Sequence, residues 1–95
     1  MVSPTASVND AGAYRVTVTD ENGEPVKGVA IQFCDETSCN IGKTDANGVV
    51  SFDMPEGTVY EVHVLKVPEG YAQSSDEFRT LNVYSDLSIV VNKAA

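Results

Sequence analysis

The chain has 95 residues, 42% of them hydrophobic, and sets six Lys plus Arg against fourteen Asp plus Glu for a formal net charge of −8. That length holds one domain with a modest core, and the apolar share is that of a folded chain rather than a disordered one. An acidic surface repels phosphate backbones and anionic lipid, which sets nucleic acid and membrane aside as partners, and apolar runs of only a few residues fall far short of a membrane span.

Residues 1–12, MVSPTASVNDAG, are small and polar without periodicity and read as a linker or frayed lead-in; the domain is expected over 13–93. Tyr14, Val16 and Val18 then alternate with Arg15, Thr17 and Thr19, the pattern of a strand with one buried face. The turn DENGEP follows, and Val29, Ile31 and Phe33 alternate with Ala30 and Gln32 in a second strand. A loop from Cys34 to Cys39 leads to a short segment around Ile41 to Thr44, and the turn DANG leads to Val50, Phe52 and Met54. Past Pro55-Glu56-Gly57, Tyr60, Val62 and Val64 alternate with Glu61 and His63. The polar stretch from Pro68 to Glu77 reads as a long loop, Leu81 and Val83 as a further half-buried strand, and Leu87, Ile89 and Val91 as the last. About seven short strands with turns between them and no helical period define an all-β fold, a Greek-key sandwich of prealbumin-like or Ig-like type. The expected core is Val16, Val18, Val29, Ile31, Phe33, Phe52, Tyr60, Val62, Val64, Leu81, Val83, Ile89 and Val91.

Two cysteines stand in CDETSC, and two thiolates with a distant single histidine do not complete a structural zinc site. A Cys-x-x-Cys redox pair needs closer spacing. Two readings remain: a local Cys34–Cys39 disulfide across a hairpin loop, which implies an oxidising compartment, or a pair of reduced, packed thiols.

Three stretches carry a family resemblance: YRVTVTDENGEPVKGVAIQF, TDANGVVSFDMPEG and YEVHVLKVPEGY. Together they resemble the CnaB or SpaA-type domains of bacterial surface proteins, which have a prealbumin-like (transthyretin-like) fold, and the layout is also similar to carboxypeptidase regulatory-like domains. The resemblance covers roughly residues 13 to 92. It implies a module of a larger extracellular or bacterial cell-surface protein. Members of the CnaB family often carry a spontaneous isopeptide bond between a Lys of the first strand and an Asn or Asp of the last, assisted by a buried acid. The position of the Lys, two residues before the turn Asp, is Val18 here; that of the acid, four residues before the Pro of the Pro-x-Gly-Tyr corner, is Val64; Asn92 stands near the end of the last strand. With two of three parts replaced by valine, the resemblance implies a member without the isopeptide, cross-linked instead by its two cysteines. Neither an unpaired Lys nor an unpaired acid is then buried, and each would be costly.

The remaining motifs point away from chemistry. Both D-x-N-G turns open like a calcium loop, but neither is followed by the further oxygen ligands such a loop needs, so they read as structural turns and no metal or cofactor is expected. His63 reads as a lone surface imidazole, Glu61 and Asp53 as outward carboxylates, and no serine stands in a nucleophile-elbow context. There is no Trp, and the only aromatics that could stand exposed are Tyr84 and Phe78, with core packing an equal expectation for Phe78, which weakens a carbohydrate-platform reading. The chain is therefore expected to be non-catalytic: a monomeric structural or spacer module whose partners are the neighbouring domains of its parent chain. The alternative is an accessory binding module that grips a host protein or glycan through the Cys34–Cys39 loop or the Pro68–Glu77 loop.

Overall fold

The computed structural model describes residues 6–8, 12–73 and 77–94. Eight strands run through them: β1 (Ala6–Val8), β2 (Tyr14–Thr19), β3 (Ala30–Cys34), β4 (Cys39–Lys43), β5 (Val49–Phe52), β6 (Glu61–Lys66), β7 (Glu77–Arg79) and β8 (Ser85–Val90). They form two four-stranded sheets, one in the order β1-β8-β2-β5 and the other β4-β3-β6-β7. Every pairing is antiparallel except that of β2 with β8, which run parallel. The result is the expected all-β sandwich.

Alternation decides which side chains the sheets enclose. β2 reads buried at Tyr14, Val16 and Val18 and partly exposed at Arg15, Thr17 and Thr19. Ile31 and Phe33 of β3, Val50 and Phe52 of β5, Val62 and Val64 of β6, and Leu87 and Ile89 of β8 complete the two inner faces, joined by Val26, Val29, Tyr60 and Val91 from the connections. At one end the core is aromatic. Phe33 stacks between Phe52 and Tyr60 at centroid distances of 4.5 and 4.7 Å, and Tyr14 meets Tyr60 and Tyr84 edge-on at 5.2 and 5.3 Å. Such offset and edge contacts add to the area burial of each ring.

The two D-x-N-G turns are built alike. The Asp20 carboxylate accepts the backbone N–H groups of Asn22 and Glu24, and the Asp45 carboxylate those of Asn47 and Val49. In each, the glycine N–H returns to the aspartate carbonyl, and the glycine takes a positive φ, +82° at Gly23 and +75° at Gly48. This is the local bonding that makes Asp favoured at a turn's start and Gly at its end.

Three expectations need correction. Ala6–Val8, inside the expected lead-in, pair with β8 as an edge strand. Leu81 and Val83 form no strand: Leu81 is exposed and Val83 only partly buried, because this segment is tied to the 55–57 turn, with Gly57 N–H on the Asn82 carbonyl and Tyr84 N–H on the Glu56 carboxylate. The strand of this region is β7, which begins at the last residue of the expected Pro68–Glu77 loop; residues 74–76 of that loop lie outside the described residues. Phe78 and Tyr84 both pack partly buried against the core.

Candidate functional site

The parallel pair β2–β8 joins the first long strand to the last. Five residues of each are in register, from Arg15↔Asp86 to Thr19↔Val90. At its start, the Arg15 guanidinium donates twice to Asp86, at 2.7 and 3.0 Å, a two-pronged contact that only Arg can make. The Asp86 carboxylate raises the already high pKa of Arg15. At its far end, Val91 N–H continues the ladder to the Thr19 carbonyl, Lys93 Nζ lies 3.7 Å from the buried Asp20 carboxylate, and the Glu21 carboxylate accepts Lys93 N–H at 3.1 Å. The outgoing chain is also gripped from the other side, where Ala72 N–H donates to the Asn92 carbonyl and Ala94 N–H to the Gly70 carbonyl. The Pro68-Glu69-Gly70-Tyr71 corner thus serves as a clasp on the departing C-terminal segment, with Tyr71 packed on the core.

The backbone N–H of Glu24 first, then that of Asn22 and the charge of Lys93, hold the Asp20 carboxyl below the usual carboxylate range, against an opposing effect of burial. A carboxyl whose folded pKa is depressed contributes stability that is present above its unfolded value, near 3.9, and is lost as pH falls through the folded value. The melting temperature is therefore expected to fall as pH drops below about 4. Asp20→Ala should be less stable at neutral pH and show a shallower fall over that acid window. Parallel pH–melting curves for the two proteins would sink this reading of Asp20.

Val18 and Val64 are both buried, one on each sheet, and meet in the common core. Asn92 is not brought to them. Val18 stands opposite Ile89 in the parallel ladder, and Asn92, three residues further, carries an exposed side chain. Both valines contribute their methyl groups to the shared core.

On the second sheet, Cys34 and Cys39 are directly opposed in the β3–β4 hairpin and joined by a disulfide. The loop between them is ordered by Asp35, whose carboxylate accepts the N–H groups of Thr37 and Ser38 at 2.8 and 2.7 Å. Those two bonds, Thr37's first, hold the Asp35 carboxyl below its usual range. Beside the loop lies an open hollow of about 260 Å³ lined by Asp35, Glu36, Thr37 and Thr58. Its size and openness fall short of pockets that bury a small molecule.

The outer face of the same sheet collects polar groups that the sequence leaves apart. Glu61 and His63 sit two apart on β6, and β7 sets Glu77 opposite His63 and Arg79 opposite Glu61. One ligand atom each from Glu61, His63 and Glu77 lie within 4.8 Å of one another. His63 is therefore not alone on this face. The Glu61-x-His63 half of the cluster is readable as period-2 spacing in the sequence. Glu77 is not readable, because its strand is three residues long and charged at both ends.

Two four-stranded sheets, closed by a parallel pairing between an early strand and the last, define a prealbumin-like β-sandwich. The chain matches the SpaA prealbumin-like fold domain over residues 12–93 and belongs to that family. Among solved structures it is similar to the TIE protein of Bacillus anthracis, with a TM-score of 0.75 and 19% identity over 87% of this chain and 16% of that one. It is also similar to the C-terminal fragment of the pilus adhesin SpaC from Lactobacillus rhamnosus GG, with a TM-score of 0.72 and 13% identity over 87% of this chain and 45% of that fragment. The chain thus spans less than half the length of either. A comparison with curated protein sequences gives no significant match.

Proposed function

We propose that the chain is a non-catalytic spacer module of a larger, adhesin-like protein at a bacterial surface or outside the cell, holding its neighbours apart and in line. The observation that carries this reading is the direction of β2 and β8. They run parallel, so the start of β2 and the end of β8 lie at opposite ends of one ladder, and a pull between them loads its hydrogen bonds together, in shear. β1 is antiparallel to β8 and only three residues long, so it would peel off first and pass the force to the longer pair. The two-pronged Arg15–Asp86 contact and the clasp at residues 70–72 reinforce the two ends of that ladder. Support for the location comes from the family and from its fold neighbours, one of which is a pilus adhesin. The partners of such a module are the adjoining domains of its own chain, and the module itself is monomeric. Its disulfide suits an oxidising exterior.

Valine at 18 and 64 further implies that the module has no isopeptide bond and yields completely once its ladder breaks. Stretched between two reference domains, it is expected to rupture in one step and release roughly 230 Å of chain, the extended length from β2 to β8 less the folded span and the loop that the Cys34–Cys39 disulfide keeps closed. Intact mass should show no loss of ammonia. A gradual extension without a distinct rupture would refute the spacer reading, and a release of only a few tens of ångströms with ammonia lost would reveal a cross-link between the terminal strands.

A further inference from the structure

We infer that the outer face of the β4-β3-β6-β7 sheet carries a zinc-binding site formed by Glu61, His63 and Glu77. The argument begins with strand geometry. Residues two apart on a strand share a face, and a residue directly opposite on the next strand shares it too. Glu61 and His63 on β6, with Glu77 opposite His63 on β7, are therefore the corners of a small triangle whose side chains rise from the same face. Their donor atoms lie within 4.8 Å of one another. Ligands of one tetrahedral zinc stand roughly 3.4 Å apart, given metal–ligand bonds of about 2.0–2.2 Å. Closing that gap calls for rotation about the χ angles of the two glutamates, whose side chains are exposed and free of core packing.

The donor set selects the ion. One imidazole nitrogen and two carboxylates are a zinc-type set of three protein ligands, leaving a fourth position for water. Calcium takes six to eight oxygens and gains little from a nitrogen, so it is the wrong ion for this triangle. Two carboxylates also balance the charge of a divalent cation on a protein whose net charge is −8.

The neighbouring groups on this face are Gln32, opposite His63 on β3, Cys34, opposite Glu61 and closed in its disulfide, and Arg79. Arg79 is the competitor. Its guanidinium lies 3.6 Å from Glu77, and both side chains are at least half exposed, so the pair is weak enough for a divalent ion to displace.

The sequence has one histidine, so its ring signals report this site alone. Zinc titrated into the whole chain at neutral pH is expected to shift the His63 ring resonances in NMR spectra, saturating at one ion per chain, while the same concentration of calcium leaves them in place. His63→Ala should abolish the zinc response of the neighbouring β6 and β7 amides. Glu61→Gln and Glu77→Gln should each weaken binding at least about tenfold, since each exchanges a charged carboxylate ligand for a neutral amide. Arg79→Ala should tighten it by about two- to threefold by removing the competing cation. All four positions are exposed or partly exposed on the sheet surface, and unchanged amide spectra elsewhere would show that the fold is intact. No saturable ring shift in millimolar zinc would overturn the proposal. So would undiminished affinity in both glutamine variants, which would mean that a lone imidazole binds without the carboxylates.

Discussion

Phe33→Ala is expected to destabilise the protein by about 3–5 kcal/mol, the range for truncating a fully buried aromatic. Phe33 is wholly buried near the end of β3, a central strand of its sheet, with its ring stacked on Phe52 on one side and Tyr60 on the other and tilted against Tyr14 at 5.5 Å. Removing it takes away three ring contacts and leaves a cavity that the sheets cannot close, because Phe33 is fixed between ladders to β4 and β6. Phe52 is the useful comparison. It ends β5, an edge strand of the other sheet, retains slight exposure, and has one ring partner. Phe52→Ala should fall toward the lower end of the same range, since the gap lies near the rim and can partly fill. In a domain whose total stability is typically about 5–15 kcal/mol, both changes should move the urea midpoint far. His63→Ala, on the outer face, should stay within about 0.5 kcal/mol of the parent in metal-free buffer. A smaller loss at Phe33 than at Phe52 would show that the aromatic end of the core is not centred as described.

The inner faces were legible in the sequence because period 2 is strict where one side of a strand meets the core and the other meets water. Tyr14 through Thr19 is the clearest case, and Val62 with Val64 another. Legibility failed where that contrast is weak. Glu77-Phe78-Arg79 holds one apolar residue between two charges, as a short edge strand that must resist further pairing tends to. Leu81 and Val83 imitate a strand by spacing alone, although their backbone is tied to the turn at Pro55–Gly57 instead of to a ladder. Val26 lies in no strand, yet it is buried because its N–H reaches the Val18 carbonyl and draws the loop after Pro25 onto the core. The same limit governs the candidate sites. The disulfide was legible because its loop is local. The carboxylate that completes the Glu61 and His63 pair comes from β7, and its arrival depends on a register that no local pattern announces. Val18 and Val64 were legible as core positions from the alternation of their strands, and both are buried. Asn92 lies beyond Ile89, the residue opposite Val18, and its side chain is exposed, which strand alternation alone does not specify.

Gly48→Ala is expected to cost about 3 kcal/mol, combining about 1–2 kcal/mol for a left-handed backbone with about 1–3 kcal/mol for steric overlap. Gly23 and Gly48 occupy the same place in two turns of the same design, with φ of +82° and +75°, so their conformational terms match. Their surroundings do not. A methyl group at Gly23 would meet nothing within 4 Å, whereas at Gly48 it would stand 2.5 Å from the Val18 carbonyl oxygen and 3.0 Å from Pro25 Cβ. Gly48 is in that position because its own carbonyl accepts the Val18 N–H at 2.7 Å, while the Val18 carbonyl accepts the Val26 N–H. Its turn is thereby packed on the end of β2, the strand proposed to bear tension. Neither neighbour is a flexible side-chain tip that can swing away. The methyl group can be admitted only if the turn lifts, and lifting it breaks the bond to Val18. Gly23→Ala should therefore cost only the conformational part, about 1–2 kcal/mol. The same substitution at equivalent turn positions then separates backbone conformation from packing, and urea unfolding of the two variants reads the difference directly. Equal losses would mean that the contact between the second turn and β2 adds nothing to stability. A larger loss at Gly48, accompanied by a lower rupture force in the stretching experiment, would tie that contact to the mechanical role of β2.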